Sequence, residues 1–161
     1  MNATKLLKQQ HDEVESLFEQ YDKAEDGRAK RALFTRIADS LAAHSTIEEK
    51  IFYPAVYVGE LEDLLKEAVE EHLSVKRIIA DLMDMRVSDD NFDAKIKVLK
   101  EQVEHHVEEE EGEMFPKVTK TVDKDTLESL GEEMEVMFDG LMTEGPRNLI
   151  PDETDEAAPL A

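Results

Sequence analysis

Apolar residues recur at three- and four-residue intervals along four successive stretches of the chain, the spacing that stacks side chains on one face of an α-helix. The stripes run Leu7, His11, Val14, Phe18, Tyr21; then Phe34, Ile37, Leu41, His44, Glu48, Ile51; then Leu65, Ala68, His72, Val75, Ile79, Leu82; and finally Ile96, Leu99, Val103, His106, Glu110, Met114. The pattern predicts helices over 3–25, 27–58, 60–85 and 90–120. Their connections are short, with Ser88 or Asp89 placed to cap the fourth helix. Short connections demand antiparallel neighbours, so the expected fold is all-α, an up-down-up-down four-helix bundle over residues 1–120.

A further amphipathic helix is expected from Asp123 to Met142, with Leu127, Leu130, Met134, Met137, Phe138 and Leu141 on its apolar face. Within a region spanning 121–143 it either packs on its own bundle or serves an oligomer or partner, and the packing reading is preferred because amphipathic helices usually cover their own domain. Residues 144–161 carry Pro146, Pro151, Pro159 and the run Asp152-Glu153-Thr154-Asp155-Glu156, a composition that predicts a disordered acidic tail.

The polar interruptions of the four stripes are all His or Glu. In an apolar interior an uncompensated ionised carboxylate costs several kcal/mol, so such positions call for a partner. His44 precedes Glu48 by four residues, and His106 precedes Glu110 by the same interval, which puts each imidazole one turn from its carboxylate on one face. Each copy ends ten residues after its His in a proline, Pro54 or Pro116, and a further His, His11 or His72, lies 33 or 34 residues upstream. His11 and His72 fall early in their helices and the two pairs fall late in theirs, so in an alternating bundle all six meet in one layer. Imidazole with carboxylate suits iron, zinc or manganese, and two facing pairs can hold two ions bridged by the carboxylates.

Several neighbours are set aside. His105 also has a Glu four residues on, Glu109, but it is rotated off the Ile96/Leu99/Val103 stripe, and only His106 reproduces the first copy's distance to proline. His105 is therefore assigned to the surface or a supporting position. Glu15 is read as a solvated charge beside the first stripe, and Glu49 and Glu111 as surface residues or acceptors for imidazole N–H groups.

With these residues in place, His44-x-x-x-Glu48-Glu49 to Pro54 and His105-His106-Val-Glu-Glu-Glu110-Glu111 to Phe115-Pro116, the chain resembles the hemerythrin family in its bacterial HHE cation-binding branch, over about residues 3–118. The resemblance implies a non-heme di-iron centre, oxo- or hydroxo-bridged, with His11, His44, Glu48, His72, His106 and Glu110 as ligands. It implies a protein that binds or reduces small oxidants and gases, dioxygen, hydrogen peroxide or nitric oxide, in stress defence or sensing. The alternative is a non-catalytic iron-binding protein for storage, donation or iron-dependent interaction. Whether the centre is enzymatic is left open. Oxygen-carrying relatives have a second His four residues after that of the third helix, and here the position is Lys76. The missing imidazole is expected to leave an open coordination position filled by water.

Charge and composition narrow the partners. With 40 acidic against 19 basic residues the formal net charge is −21, and no basic patch is present to neutralise phosphates, so neither nucleic acid nor an anionic membrane is expected. The absence of cysteine excludes disulfides, iron–sulfur clusters and thiolate zinc sites. No stretch approaches the ~20 apolar residues of a membrane span and Met1–Lys8 has no signal core, so a cytoplasmic protein, monomeric or weakly dimeric, is expected.

Overall fold

The computed structural model describes all 161 residues, and every regular element is helical. Helix α1 covers Ala3–Lys23 and starts where the Asn2 side chain accepts from the Lys5 N–H; α2 covers Gly27–Ile47 and starts where Asp26 accepts from the Arg28 N–H. After a 3₁₀ turn at Gly59–Leu61, α4 runs Glu62–Met83, and α5 runs Phe92–Glu109. Neither Ser88 nor Asp89 caps α5; Asp89 instead turns back to accept from the Arg86 N–H, and the Phe92 N–H bonds the Asp89 carbonyl. No helix is long and apolar enough to cross a membrane.

The second and fourth sequence helices are not continuous. Each is interrupted by one π turn, Glu48–Phe52 and Glu110–Met114, before resuming as α3, Tyr53–Val56, and α6, Phe115–Thr121. The Tyr53 N–H reaches the Glu48 carbonyl and the Phe115 N–H that of Glu110, five residues back instead of four. Pro54 and Pro116 come next and have no N–H to give, so the regular ladder is broken there in any case. Each proline occupies the first turn of the resumed helix, where a missing donor costs little. The prolines thus do not stop the helical run; they mark where an added residue has been absorbed beside the candidate ligands.

The interior divides into two apolar clusters. One gathers Leu7, Phe52, Leu65 and Phe115 with partners from α3 and α6; the other gathers Phe18, Phe34, Phe92 and Leu99. Helix α7, Lys124–Met142, lies on α1 and α2, and its Leu127 and Met134 join the first cluster. The crossing is close at Gly131, where an added Cβ would collide with the Met1 carbonyl oxygen.

The last segment differs from the disorder read from its composition. Gly145, in a left-handed conformation, opens a 3₁₀ stretch over Pro146–Glu153 that packs on α2 and α4. Its Ile150 is 1% exposed within the second cluster, and Ala157 and Leu160 further on rest against the first. Nη1 of Arg147 donates to both Asp39 oxygens, at 2.9 and 3.1 Å, and the Arg147 backbone N–H donates to the same carboxylate at 3.0 Å.

Gly131→Ala should force the N-terminal residues off α7 and cost about 1–3 kcal/mol. Gly140→Ala, on the same helix with nothing within 4 Å of an added Cβ, should stabilise by about 0.5–1 kcal/mol. Denaturant melts of the two variants against the parent check both signs.

Candidate metal centre

The six residues singled out by the stripes lie together between the two apolar clusters, and all six are buried. His11 comes from early α1 and His72 from mid α4, His44 and His106 from the last turns of α2 and α5, while Glu48 and Glu110 open the two π turns. They form two overlapping sets of converging ligand atoms: His11, His44, Glu48 and Glu110 in one, Glu48, His72 and His106 in the other.

Spacing within these sets fits a cation. His11 Nε2 is 3.1 Å from Glu110 Oε1, His44 Nε2 3.2 Å and His72 Nε2 3.1 Å from Glu48 Oε1, and His106 Nε2 3.3 Å from Glu110 Oε1. His72 Nε2 and His106 Nε2 are 3.2 Å apart. Nitrogen and oxygen ligands about 2.0–2.2 Å from one ion and at right angles would be separated by about 3 Å. Protein groups alone leave the arrangement incomplete: His44 Nε2 and both oxygens of Glu48, fully buried, have no hydrogen-bond partner. Such groups are costly in an apolar interior unless something positive joins them.

Every imidazole is aimed by a bond at its other nitrogen. Nδ1 of His11 donates to Glu111 at 2.7 Å, that of His72 to Glu49 at 2.6 Å, that of His106 to Glu71 at 2.7 Å and that of His44 to the Gln10 amide oxygen at 2.7 Å. With Nδ1 carrying the proton, each Nε2 presents its lone pair inward. Glu49 and Glu111 are therefore acceptors and not free surface charges. Gln10 and Glu71 lie off the apolar stripes and carry no motif, so sequence pattern passes over them.

Tyr53 was also missed. It is completely buried, donates from its hydroxyl to Glu110 Oε2 at 2.6 Å, and has that oxygen 3.3 Å from His72 Nε2 and 3.5 Å from His106 Nε2. Its ring stacks on His72, as that of Phe115, the matching residue of the second copy, stacks on His11. The signal in the sequence was the residue before each proline, aromatic in both copies but hydroxylated in one.

Electrostatics follow from the crowding. Burial alone would lower the histidines, yet the facing carboxylates outweigh it: His11 and His72 rise above their ordinary value, and His106 rises well above it beside Glu110, Glu71 and Glu48. Burial would raise Glu110, but His106 and His11 hold it well below the usual carboxylate range. For Tyr53, burial and then Glu110 and Glu48 push the phenol well up, so it keeps its proton. Without a cation, protons on the imidazoles balance the buried carboxylates; a cation replaces them.

His105 stays outside, 64% exposed, paired with Glu109 at 3.1 Å. Lys76 is buried, and its ammonium donates to Glu49 Oε1 at 2.8 Å and lies 3.4 Å from Glu153. The space on this side of the imidazoles is lined chiefly by apolar side chains, including Val14, Val75, Ile79 and Val103, in a cavity of about 40 Å³. Lys76 thus braces the acceptor of His72.

Residues 2–118 match the family model described as the hemerythrin HHE cation binding domain. A crystal structure described as a hemerythrin HHE cation binding domain-containing protein, the Rv2633c homolog from Mycobacterium kansasii, superposes with a TM-score of 0.82 at 26% identity, over 92% of both chains. A protein named DNA nickase from Nostoc sp. is 25% identical over 133 residues, which are 83% of this chain but 38% of that protein.

His106→Ala should remove most bound metal, whereas His105→Ala should retain it, as read by metal content per chain after desalting. Glu71→Gln, which spares the ligand but loses its strong acceptor, should weaken binding by about 10–100-fold. Because the histidines are raised, metal uptake near neutral pH should release protons and apparent affinity should climb as pH rises from the ordinary histidine value through the raised ones. Calorimetric titration in two buffers of different ionisation enthalpy measures that release.

Proposed function

Since the chain belongs to the hemerythrin HHE cation-binding family, we propose that its up-down-up-down bundle holds two non-heme iron ions and binds or reduces dioxygen, hydrogen peroxide or nitric oxide, in oxidative or nitrosative stress defence or in sensing. The observation that carries the reading is Glu48, buried with both oxygens unpartnered between two histidine sets and next to a small apolar cavity. His11 and His44 would hold one ion, His72 and His106 the other, with Glu48 and Glu110 shared. Bound iron would supply electrons and coordination positions for molecules of two or three atoms.

The rest is done by the chain. Glu111, Gln10, Glu49 and Glu71 fix the imidazole tautomers, so the ligand set needs little rearrangement on loading. The apolar walls exclude bulk water and favour weakly polar molecules. Tyr53 Oη holds the nearest phenolic proton, on Glu110, and Phe115 offers none at the matching position. The small cavity, its exposed surface mostly apolar, favours this reading over iron storage, which needs room and a path for many hydrated ions. The name of the Nostoc relative is not carried over, because the match spans 38% of that protein and a chain of charge −21 has little to offer a phosphate backbone. We place the activity in the cytoplasm, in a monomer or weak homodimer.

Purified chain reconstituted anaerobically with ferrous iron should take up two ions. Exposure to oxygen, peroxide or nitric oxide should then change its visible absorption within the dead time of manual mixing. One ion per chain, or a spectrum indifferent to all three molecules, would overturn the reading.

A further inference from the structure

The acidic C-terminal segment carries a single large apolar residue that the fold buries in its second core, Ile150. Three basic residues hold the backbone around it. Arg147 donates from Nη1 to both oxygens of Asp39 of α2 and from its backbone N–H to the same carboxylate at 3.0 Å; Arg77 of α4 donates to the carbonyls of Thr154 and Asp155 at 2.9 and 3.2 Å; Lys76 lies 3.4 Å from Glu153. Ile150 is thereby fixed across α2 and α4 as one wall of the cavity that reaches all four imidazoles.

The stripes locate the same cavity independently. Of the apolar positions expected to face the core, Leu41, Val75 and Val103 keep partial exposure while their stripe neighbours are buried, and all three line it. The space a water-sized sphere can reach inside it is about 40 Å³, against the roughly 10–15 Å³ that one water needs, so it takes a molecule of a few heavy atoms. A diatomic molecule or hydrogen peroxide fits within it. The other walls belong to bundle helices packed on both sides, so the residue whose size can change without rebuilding the bundle is Ile150.

We propose that Ile150 is the specificity-determining residue of the centre, the wall that limits admission to molecules of very few heavy atoms. This rests on the small-molecule reading above. Shortening Ile150 to Ala removes three carbons beside the imidazoles and should admit larger ligands, and Ile150→Phe should fill the space.

The test uses the full chain with Ile150→Val, Ile150→Ala and Ile150→Phe, each required to keep parental helicity and metal content. In the metal-free protein, the xenon-129 NMR shift under gas should grow from parent through Val to Ala and disappear in Phe. In iron-loaded protein, consumption of cumene hydroperoxide relative to hydrogen peroxide should rise in the Ala variant by about 10- to 200-fold, the range a pocket's size typically discriminates. Xenon response unchanged across the series overturns the proposal, as does an unchanged ratio of the two peroxides. If no variant reacts with any oxidant while xenon follows the series, the functional reading fails and Ile150 stands as the wall of the cavity. Should Ala prove too unstable to load metal, Val and Phe, which bracket the parent in size, decide by the same two measurements.

Discussion

Two buried carboxylates hold the organisation of this molecule together. Glu48 and Glu110 sit between two apolar clusters, each fully withdrawn from water, each touched by imidazoles from different helices. Placing like charges there is unfavourable by several kcal/mol unless positive charge accompanies them. His11, His72 and His106 supply it in part by binding protons, and their raised values with the lowered Glu110 record that compensation. Glu48 stays unsatisfied even so. The layer is thus built to be completed by cations, and the outer acceptors exist because an imidazole that must present Nε2 inward has to dispose of its Nδ1 proton.

The two π turns serve the same constraint. A regular helix places His and Glu four apart on one face, which brings the pairs to the layer, but the residues after each Glu must then cover the layer from below. One extra residue in the turn swings Tyr53 and Phe115 under the histidines of α4 and α1, where both rings stack. Proline directly afterwards keeps the break from sliding along the helix, since the N–H that would repair the ladder is missing. Loss of regular geometry here is localised to the turns that contain the ligands.

What could be read from the sequence and what could not divide along physical lines. The six candidate ligands were legible because they interrupt apolar stripes, and a polar residue on such a stripe has one economical explanation. Gln10 and Glu71 were not, because they act from the flanks of the helices, where polar residues are ordinary and only three-dimensional proximity distinguishes them. Lys76 was noticed for the imidazole it replaces, but its bond to Glu49 depends on the packing of α4 against the first π turn, which no spacing rule conveys. The C-terminal segment was misread for a different reason. Disorder is inferred from average composition, whereas order here comes from one isoleucine and from Arg147 meeting Asp39 across 108 residues of sequence separation.

The internal duplication also explains how one layer comes to have two unlike halves. The copies agree in His, Glu, π turn, aromatic residue and proline, so the backbone delivers matching ligands to both sides. At the aromatic position they differ by one oxygen atom, the hydroxyl of Tyr53 against the bare ring of Phe115. That oxygen bonds Glu110 and stands within reach of His72 and His106, while the corresponding place beside His11 is apolar. A carboxylate that accepts from a phenol gives up part of its electron density to that bond, so Glu110 and Glu48, alike in burial, are unequal as donors. The two candidate ligand sets then differ in their access to a proton, although the backbone that builds them is nearly repeated. The hydroxyl of Tyr53 adds to the other inequalities between the sets, the neutral Gln10 behind His44 and the Lys76 ammonium behind Glu49, and it is placed by a turn that both copies share.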